Sequence, residues 1–178
     1  MLIREAVVAD AAAIAKVGVD TWRSAYRGIM PDERLEALSY ERATERNRQR
    51  LEGGESGSLW LVAESGEEVV GFASAGPARE EEAPGMGEVY GIYVLEAHQR
   101  KGIGRMLMEK AVRRLLAGGM RSLVVWVLKE GPARGFYERL GGQLLGSKII
   151  TTGGCELEAV SYGWPDMAVL VEAAGGRR

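Results

Sequence analysis

Apolar residues along this chain alternate with polar ones, recur every three or four positions, or run together, and each rhythm predicts a different element. LIREA, at residues 2–6, reads as a short first strand. Ile14, Val17 and the pair Thr21–Trp22 then recur at helical spacing within AAAIAKVGVDTWRSAY. Asp10 stands where an N-cap would, so an amphipathic first helix is expected there. Pro31 and Asp32 punctuate the chain before ERATERNRQRLEGG, a charged second helix that stops at Gly53 and Gly54. SLWLVAES and EEVVGFASAGPA, joined at Ser65 and Gly66, predict a hairpin. AREEEAPGMG reads as a loop in which Glu80, Glu81 and Glu82 form a solvated acidic turn.

The second half continues the alternation of strands and helices without an internal repeat. GEVYGIYVLEA, rich in β-branched and aromatic residues, is the strongest strand candidate. RSLVVWVL is a further strand, PARGFYERL a short helix, and GGQLLGSKIITTGGCELEAVSYGW a closing hairpin. The expected organisation is a single mixed α/β (α+β) domain over residues 1–166, with a tail over 167–178 that frays. A length of 178 residues suits one substantial core.

Composition narrows the chemistry. The chain is 46% apolar and 27% charged, ordinary for a soluble globular protein, with a formal net charge of −2. Nothing in that balance favours nucleic acid as a partner, so any basic site has to be local. Cys155 is the only cysteine, which excludes an internal disulfide and suits a reducing cytoplasm. No apolar run approaches the roughly 20 residues of a membrane helix, and MLIREAVVAD carries no signal-peptide pattern. A cytoplasmic protein with no membrane partner and no metal is expected.

HQRKGIGRML, at residues 98–107, is the segment that carries candidate chemistry. From Gly104 onward Leu107, Met108, Ala111 and Leu115 share one helical face, while Arg105, Glu109 and Arg113 follow one another at i+4 on a second. A helix therefore begins inside the glycine segment. Its first N–H groups lack intrahelical acceptors and present the positive end of the dipole, which suits an anion. Gly102 and Gly104 take away Cβ atoms that would hold a phosphate off that backbone, and Arg100, Lys101 and Arg105 add charge. An ordinary strand-to-helix connection is the plainer alternative. The string is neither a Walker loop, which needs G-x-x-x-x-G-K, nor a dinucleotide fingerprint, since Leu107 stands where a third glycine would.

The run Gln99, Arg100, Lys101, Gly102, Ile103, Gly104 resembles the Q/R-x-x-G-x-G/A signature of the GCN5-related N-acetyltransferases (GNAT). GEVYGIYVLEA before it resembles that family's central strand, ARGFYERLGG after it resembles the family's second signature, and the order of elements agrees. The resemblance covers about residues 2 to 164. TWRSAYRGIMPDERLEALS and the SYGW ending resemble a bacterial subgroup whose members mostly lack an assigned substrate.

That resemblance implies a GNAT fold, with a mostly antiparallel central sheet splayed between strands four and five and flanked by about four helices. It implies acetyl-CoA as co-substrate, its pantetheine arm beside Ile92, Tyr93 and Val94 and its pyrophosphate on the amides of Arg100 to Arg105. It also implies Tyr137 as the acid that protonates the departing thiolate, and Arg134 near the phosphate end of the coenzyme. Without that context, Tyr137 reads as core and Arg134 as a solvated helix residue. Glu88 matches a position where relatives carry a carboxylate acting through water; the alternative is a solvated strand-end glutamate. Trp22, Tyr26 and Arg27 line an acceptor pocket, or the aromatics simply seal the first helix on the sheet. His98 is expected to be a surface or structural residue and Cys155 an inert strand residue.

One departure stands out. The subgroup's N-P-A-R segment is here Gly131, Pro132, Ala133, Arg134, so a side-chain hydrogen bond to the pantetheine arm is missing, at a cost of about 0.5 to 1.5 kcal/mol. The expected function is acetyl transfer from acetyl-CoA to a primary amine of a small molecule or peptide, by a homodimer. A non-catalytic acyl-CoA-binding module of the same fold is the alternative.

Overall fold

The computed structural model describes residues 1–53, 57–79 and 85–172. Its strands are β1 (Leu2–Glu5), β2 (Leu59–Ser65), β3 (Glu68–Pro77), β4 (Met86–Val94), β5 (Ser122–Leu128), β6 (Gln143–Thr152) and β7 (Cys155–Trp164). Its helices are α1 (Ala11–Ala25), α2 (Asp32–Glu36), α3 (Tyr40–Gly53), α4 (Ile103–Ala117), α5 (Arg134–Arg139) and α6 (Val169–Glu172). The strands form one sheet in the order β1-β2-β3-β4-β5-β7-β6. Every neighbouring pair is antiparallel except β4 with β5. The expected acidic turn Glu80–Glu82, and the end of the tail from residue 173, lie outside the described residues.

Alternation along the strands supplies both faces of the sheet. Val62 and Phe72 pack under Ile14 and Val17 of α1, while Leu61, Ala63 and Ala73 face Leu107, Met108 and Ala111 of α4 on the other side. All four predicted core residues of α4, Leu107, Met108, Ala111 and Leu115, are buried. Each fully buried side chain of the size of leucine or methionine contributes about 1.5 to 3 kcal/mol, so α4 is pinned by its apolar face and leaves its polar start, beyond the end of the central strand β4, free to serve the site.

The sheet opens where the site lies. β4 and β5 pair only from Met86↔Ser122 to Val89↔Val125, after which β4 stays with β3 and β5 with β7. At the same place the β3–β4 register slips, with Ser74 opposite Gly91 and Ala75 opposite Val89, so Tyr90 is an extra residue in β4. A bulge of this kind reverses side-chain alternation. Glu88 before it and Tyr93 after it therefore share one face, while Val89, Ile92 and Val94 pack towards α4.

Two local expectations are corrected and one is extended. Asp10 does not cap α1 with its side chain: the carboxylate turns back to accept the Val7 N–H at 2.8 Å and both Arg4 guanidinium nitrogens at 2.7 and 2.8 Å. Two short helices, α2 and α6, join the four expected ones. The tail does not fray over 167–172, because the Met167 N–H donates to the Arg121 carbonyl at 2.9 Å and the Met167 and Leu170 side chains are buried.

Candidate active site

The turn into α4 is built around two left-handed residues. Gly102 has φ +82, which glycine adopts freely, and Arg100 has φ +60, which makes it the only non-glycine residue with positive φ among those described. Gln99 anchors the turn, its side-chain amide donating to the Val94 carbonyl at 2.9 Å. None of the main-chain N–H groups from Arg100 to Arg105 has a hydrogen-bond acceptor among the described residues. Consecutive unpaired amides at a helix start suit a pyrophosphate, and open space beside Gly102 lets it approach.

Those amides border a cleft of about 590 Å³ that runs between the splayed strands. Ile92, Tyr93, Val94, Gln99, Arg100, Gly102, Ile103, Gly104 and Arg105 all line it. Two predicted contacts do not. Lys101 turns its ammonium back onto the Ala97 carbonyl at 2.9 Å. Arg134 donates from Nε to the Tyr162 hydroxyl at 3.1 Å and lies 3.6 Å from Glu138. His98, expected to be a surface or structural residue, is half-buried and lines the cleft. At Gly131 a Cβ would sit 3.0 Å from the Leu128 carbonyl oxygen, because the Gly131 N–H closes a turn onto that carbonyl at 2.9 Å. The glycine in place of asparagine thus belongs to a tight exit from β5.

A second cavity, of about 500 Å³, opens on the far side of the splay. Trp22, Tyr26, Tyr90 and Trp126 give it aromatic walls, and Arg79, Glu88 and Lys148 give it charge. Trp22 and Tyr26 pack edge to face with centroids 5.0 Å apart, and the Lys148 ammonium stands 3.7 Å from the Trp126 ring centroid. Arg27 lines neither cavity.

Glu88 is not the solvated glutamate that a strand end suggests. It is 2% exposed, its Oε2 accepts the Arg79 main-chain N–H at 3.0 Å, and its Oε1 accepts the Arg79 guanidinium, from Nε at 3.1 Å and from a terminal nitrogen at closer range. An ionised carboxylate offers about four acceptor positions, so one remains for a water or an amine.

The two cavities meet along a shared wall of Tyr26, Ile92, Tyr93, Val127, Ala133 and Tyr137. Three phenols stand on it. Burial pushes Tyr137 well above the ordinary tyrosine range, with a smaller push from Tyr93. Burial likewise raises Tyr26, with Tyr93 and Tyr137 adding to it. It raises Tyr93 as well, partly offset by a hydrogen bond from Trp22 and by the positive charge of Arg79. All three stay protonated at neutral pH. No hydrogen bond ties the Tyr137 hydroxyl to another described residue, which leaves its proton available to whatever occupies the seam.

Several lining residues escaped the sequence reading. Arg79 reaches Glu88 from the end of β3, and Trp126 and Lys148 arrive from β5 and β6, so no local motif links them. Strand alternation in RSLVVWVL puts Trp126 on the face opposite Val125 and Val127, the one signal that could have found it.

Comparison with known proteins gives one consistent result. The model of the acetyltransferase (GNAT) family matches residues 19–142. The uncharacterized N-acetyltransferase YuaI of Bacillus subtilis (strain 168) is 36% identical over 168 residues, which cover 94% of this chain and 95% of that one. Among solved structures, the PaiA N-acetyltransferase of Thermoplasma acidophilum in complex with coenzyme A shares the fold at TM-score 0.66 and 18% identity, covering 92% of this chain and 98% of its own. The yncA structure from Salmonella typhimurium, with its cofactor acetyl-CoA, does so at TM-score 0.67 and 23% identity, covering 92% of both chains.

Proposed function

The chain belongs to the GNAT family of N-acetyltransferases, and from that premise we propose that it transfers the acetyl group of acetyl-CoA directly to a primary amine of a small molecule or peptide, with Tyr137 as general acid. The observation that carries this reading is the pair of cavities meeting at Tyr137 through the β4–β5 splay. One cavity ends in unpaired amides fit for a pyrophosphate, and the other holds a buried carboxylate among aromatic rings. Each substrate then reaches the seam from its own side.

The thioester supplies an activated acetyl group. Arg100 to Arg105 hold the diphosphate through their amides, and the exposed backbone of Ile92 to Val94 orients the pantetheine arm. Glu88 takes the proton of the incoming ammonium through a water, which frees the nitrogen lone pair to form the C–N bond. Tyr137 gives its hydroxyl proton to the sulfur as the C–S bond breaks, and is reprotonated by the second proton that the nitrogen sheds on becoming an amide, while Glu88 passes the first to solvent. The raised pKa of Tyr137 suits a donor that stays protonated until sulfur needs the proton.

Tyr137→Phe tests this directly. Turnover falls about 100-fold while the dissociation constant for coenzyme A stays within about twofold. Unchanged turnover would remove Tyr137 from the mechanism.

The enzyme works in the cytoplasm as a homodimer in this reading. β6 is an edge strand, and Leu144, Leu145 and Ile149 on it are 60%, 54% and 63% exposed, an apolar edge that a second copy would cover. A light-scattering mass of one chain overturns the dimer.

A further inference from the structure

Five lysines are spread along the chain, Lys16, Lys101, Lys110, Lys129 and Lys148, and their surroundings differ. Lys16 pairs with Asp20 at 3.1 Å, Lys101 turns onto the Ala97 carbonyl at 2.9 Å, and Lys129 pairs with Glu158 at 2.7 Å. Lys110 is exposed on α4 and lines neither cavity. Lys148 alone of the five lines the second cavity, where the proposed function places the acceptor amine, and it shares that lining with Glu88 and Tyr137.

Strand register explains how its amine comes there. Lys148, Ile150 and Thr152 alternate along β6 on the side that lines the cavity. Lys148 lies opposite Ala159 of β7, which lies opposite Leu128 of β5, and directly opposed residues put their side chains on one face. Ala159 and Ser161 are the β7 residues on that face, and both are small. The lysine stem crosses the strand over them to the Trp126 ring, whose centroid is 3.7 Å from the ammonium. Trp126 is the first residue of β5 beyond its pairing with β4, which ends at Val125. The amine therefore stands beside the opening of the splay, on a flexible four-carbon stem that lets it turn towards the seam.

We propose that Lys148 is a self-acetylation site: with no other amine in the second cavity, the protein transfers the acetyl group of acetyl-CoA to its own Lys148 Nζ. The step rests on the acetyl-transfer reading above and uses the same groups. The Lys148 ammonium loses one proton through water to Glu88, which passes it to solvent. The freed nitrogen attacks the thioester carbonyl, the C–N bond forms and the C–S bond breaks. Coenzyme A leaves as its thiol with the Tyr137 proton, and the second nitrogen proton returns to Tyr137. Tethering inside the cavity gives this amine an effective concentration that no surface lysine has. The resulting amide carries no charge, so the contact with the Trp126 ring is given up.

Incubating the unaltered protein with acetyl-CoA and no amine, followed by intact-mass measurement and peptide mapping, tests this. The chain gains the mass of one acetyl group on Lys148, at least about tenfold faster than on any of the other four lysines. The fraction labelled per unit time is independent of protein concentration, since catalyst and acceptor are one chain. A roughly tenfold excess of coenzyme A, competing for the larger cleft by mass action, slows labelling of Lys148 several-fold and that of the other lysines not at all. Lys148→Arg keeps a cation over Trp126 and loses the fast label. An unchanged mass, labelling spread evenly over the five lysines, a rate that rises with protein concentration, or labelling of Lys148 that coenzyme A does not slow overturns the proposal. If the mass stays unchanged while the protein acetylates an added amine, the proposed function stands without Lys148 as a target. If the unaltered protein also fails to bind coenzyme A in calorimetry, the reading beneath the proposal falls with it.

Discussion

Replacing Glu88 by glutamine separates the two things this carboxylate can do. Oε1 accepts two guanidinium N–H groups and Oε2 one main-chain N–H, all from Arg79. A glutamine keeps one acceptor oxygen but turns an NH2 towards the remaining donor. Hydrogen bonds to a charged group are worth about 1.5 to 3 kcal/mol. The Arg79 side chain is 61% exposed and water recovers part of its solvation, so a net loss of about 2 kcal/mol is expected. In a domain of this size that lowers the melting temperature by about 4 to 8 °C. If Glu88 is also the base, turnover drops by a further factor of about 100 or more, with coenzyme affinity intact. Arg79→Met is the comparison: it breaks the same pair and destabilises similarly, but keeps the carboxylate, so turnover falls by less than about tenfold. Melting curves and thiol-release rates on both variants and the double variant complete the cycle. Equal loss of turnover in the two single variants refutes the base and leaves Glu88 as half of an ion pair.

Two other perturbations read out the loop and the N-terminal network. Gly102→Ala meets no atom within 4 Å, so its cost is the left-handed backbone alone, about 1 to 2 kcal/mol, seen as a lower melting temperature and weaker coenzyme A binding by calorimetry. Arg4 holds the Asp10 carboxyl below the usual carboxylate range, so this pair's contribution is fully present above about pH 4 and is lost as pH falls below that, through the lowered folded-state value. Asp10→Asn accordingly melts lower at pH 7, by about 2 kcal/mol in stability, and the gap narrows steadily as pH falls below about 4; a gap that stays constant on acidification contradicts the assignment.

Much of this arrangement was legible because it is local. The period of Leu107, Met108, Ala111 and Leu115 fixes the α4 face, and the Gly102–Gly104 spacing marks the turn ahead of it. The β-branched and aromatic run of GEVYGIYVLEA marks β4. What stayed hidden depends on partners far apart in the chain. Glu88 reads as a strand-end carboxylate until Arg79 is brought over it from the end of β3. The extra residue at Tyr90 shows only in the register against β3, yet it decides which side chains share a face with Glu88. Sequence alone does not show that the long side chains of Lys101 and Arg134 find acceptors at Ala97 and Tyr162. The residues from Met167 to Leu170 looked like the start of a loose tail and instead cover the end of the core.

The central claim is that two substrates meet at Tyr137 and exchange an acetyl group. Its most direct measurement is thiol release from acetyl-CoA across a panel of primary amines, including polyamines, amino sugars, amino-acid derivatives and peptide N-termini, with mass detection of the product. The account predicts that at least one amine is acetylated with one coenzyme A released per product. Coenzyme A binding with no amine acetylated anywhere in the panel contradicts it, and leaves the chain as an acyl-CoA-binding module.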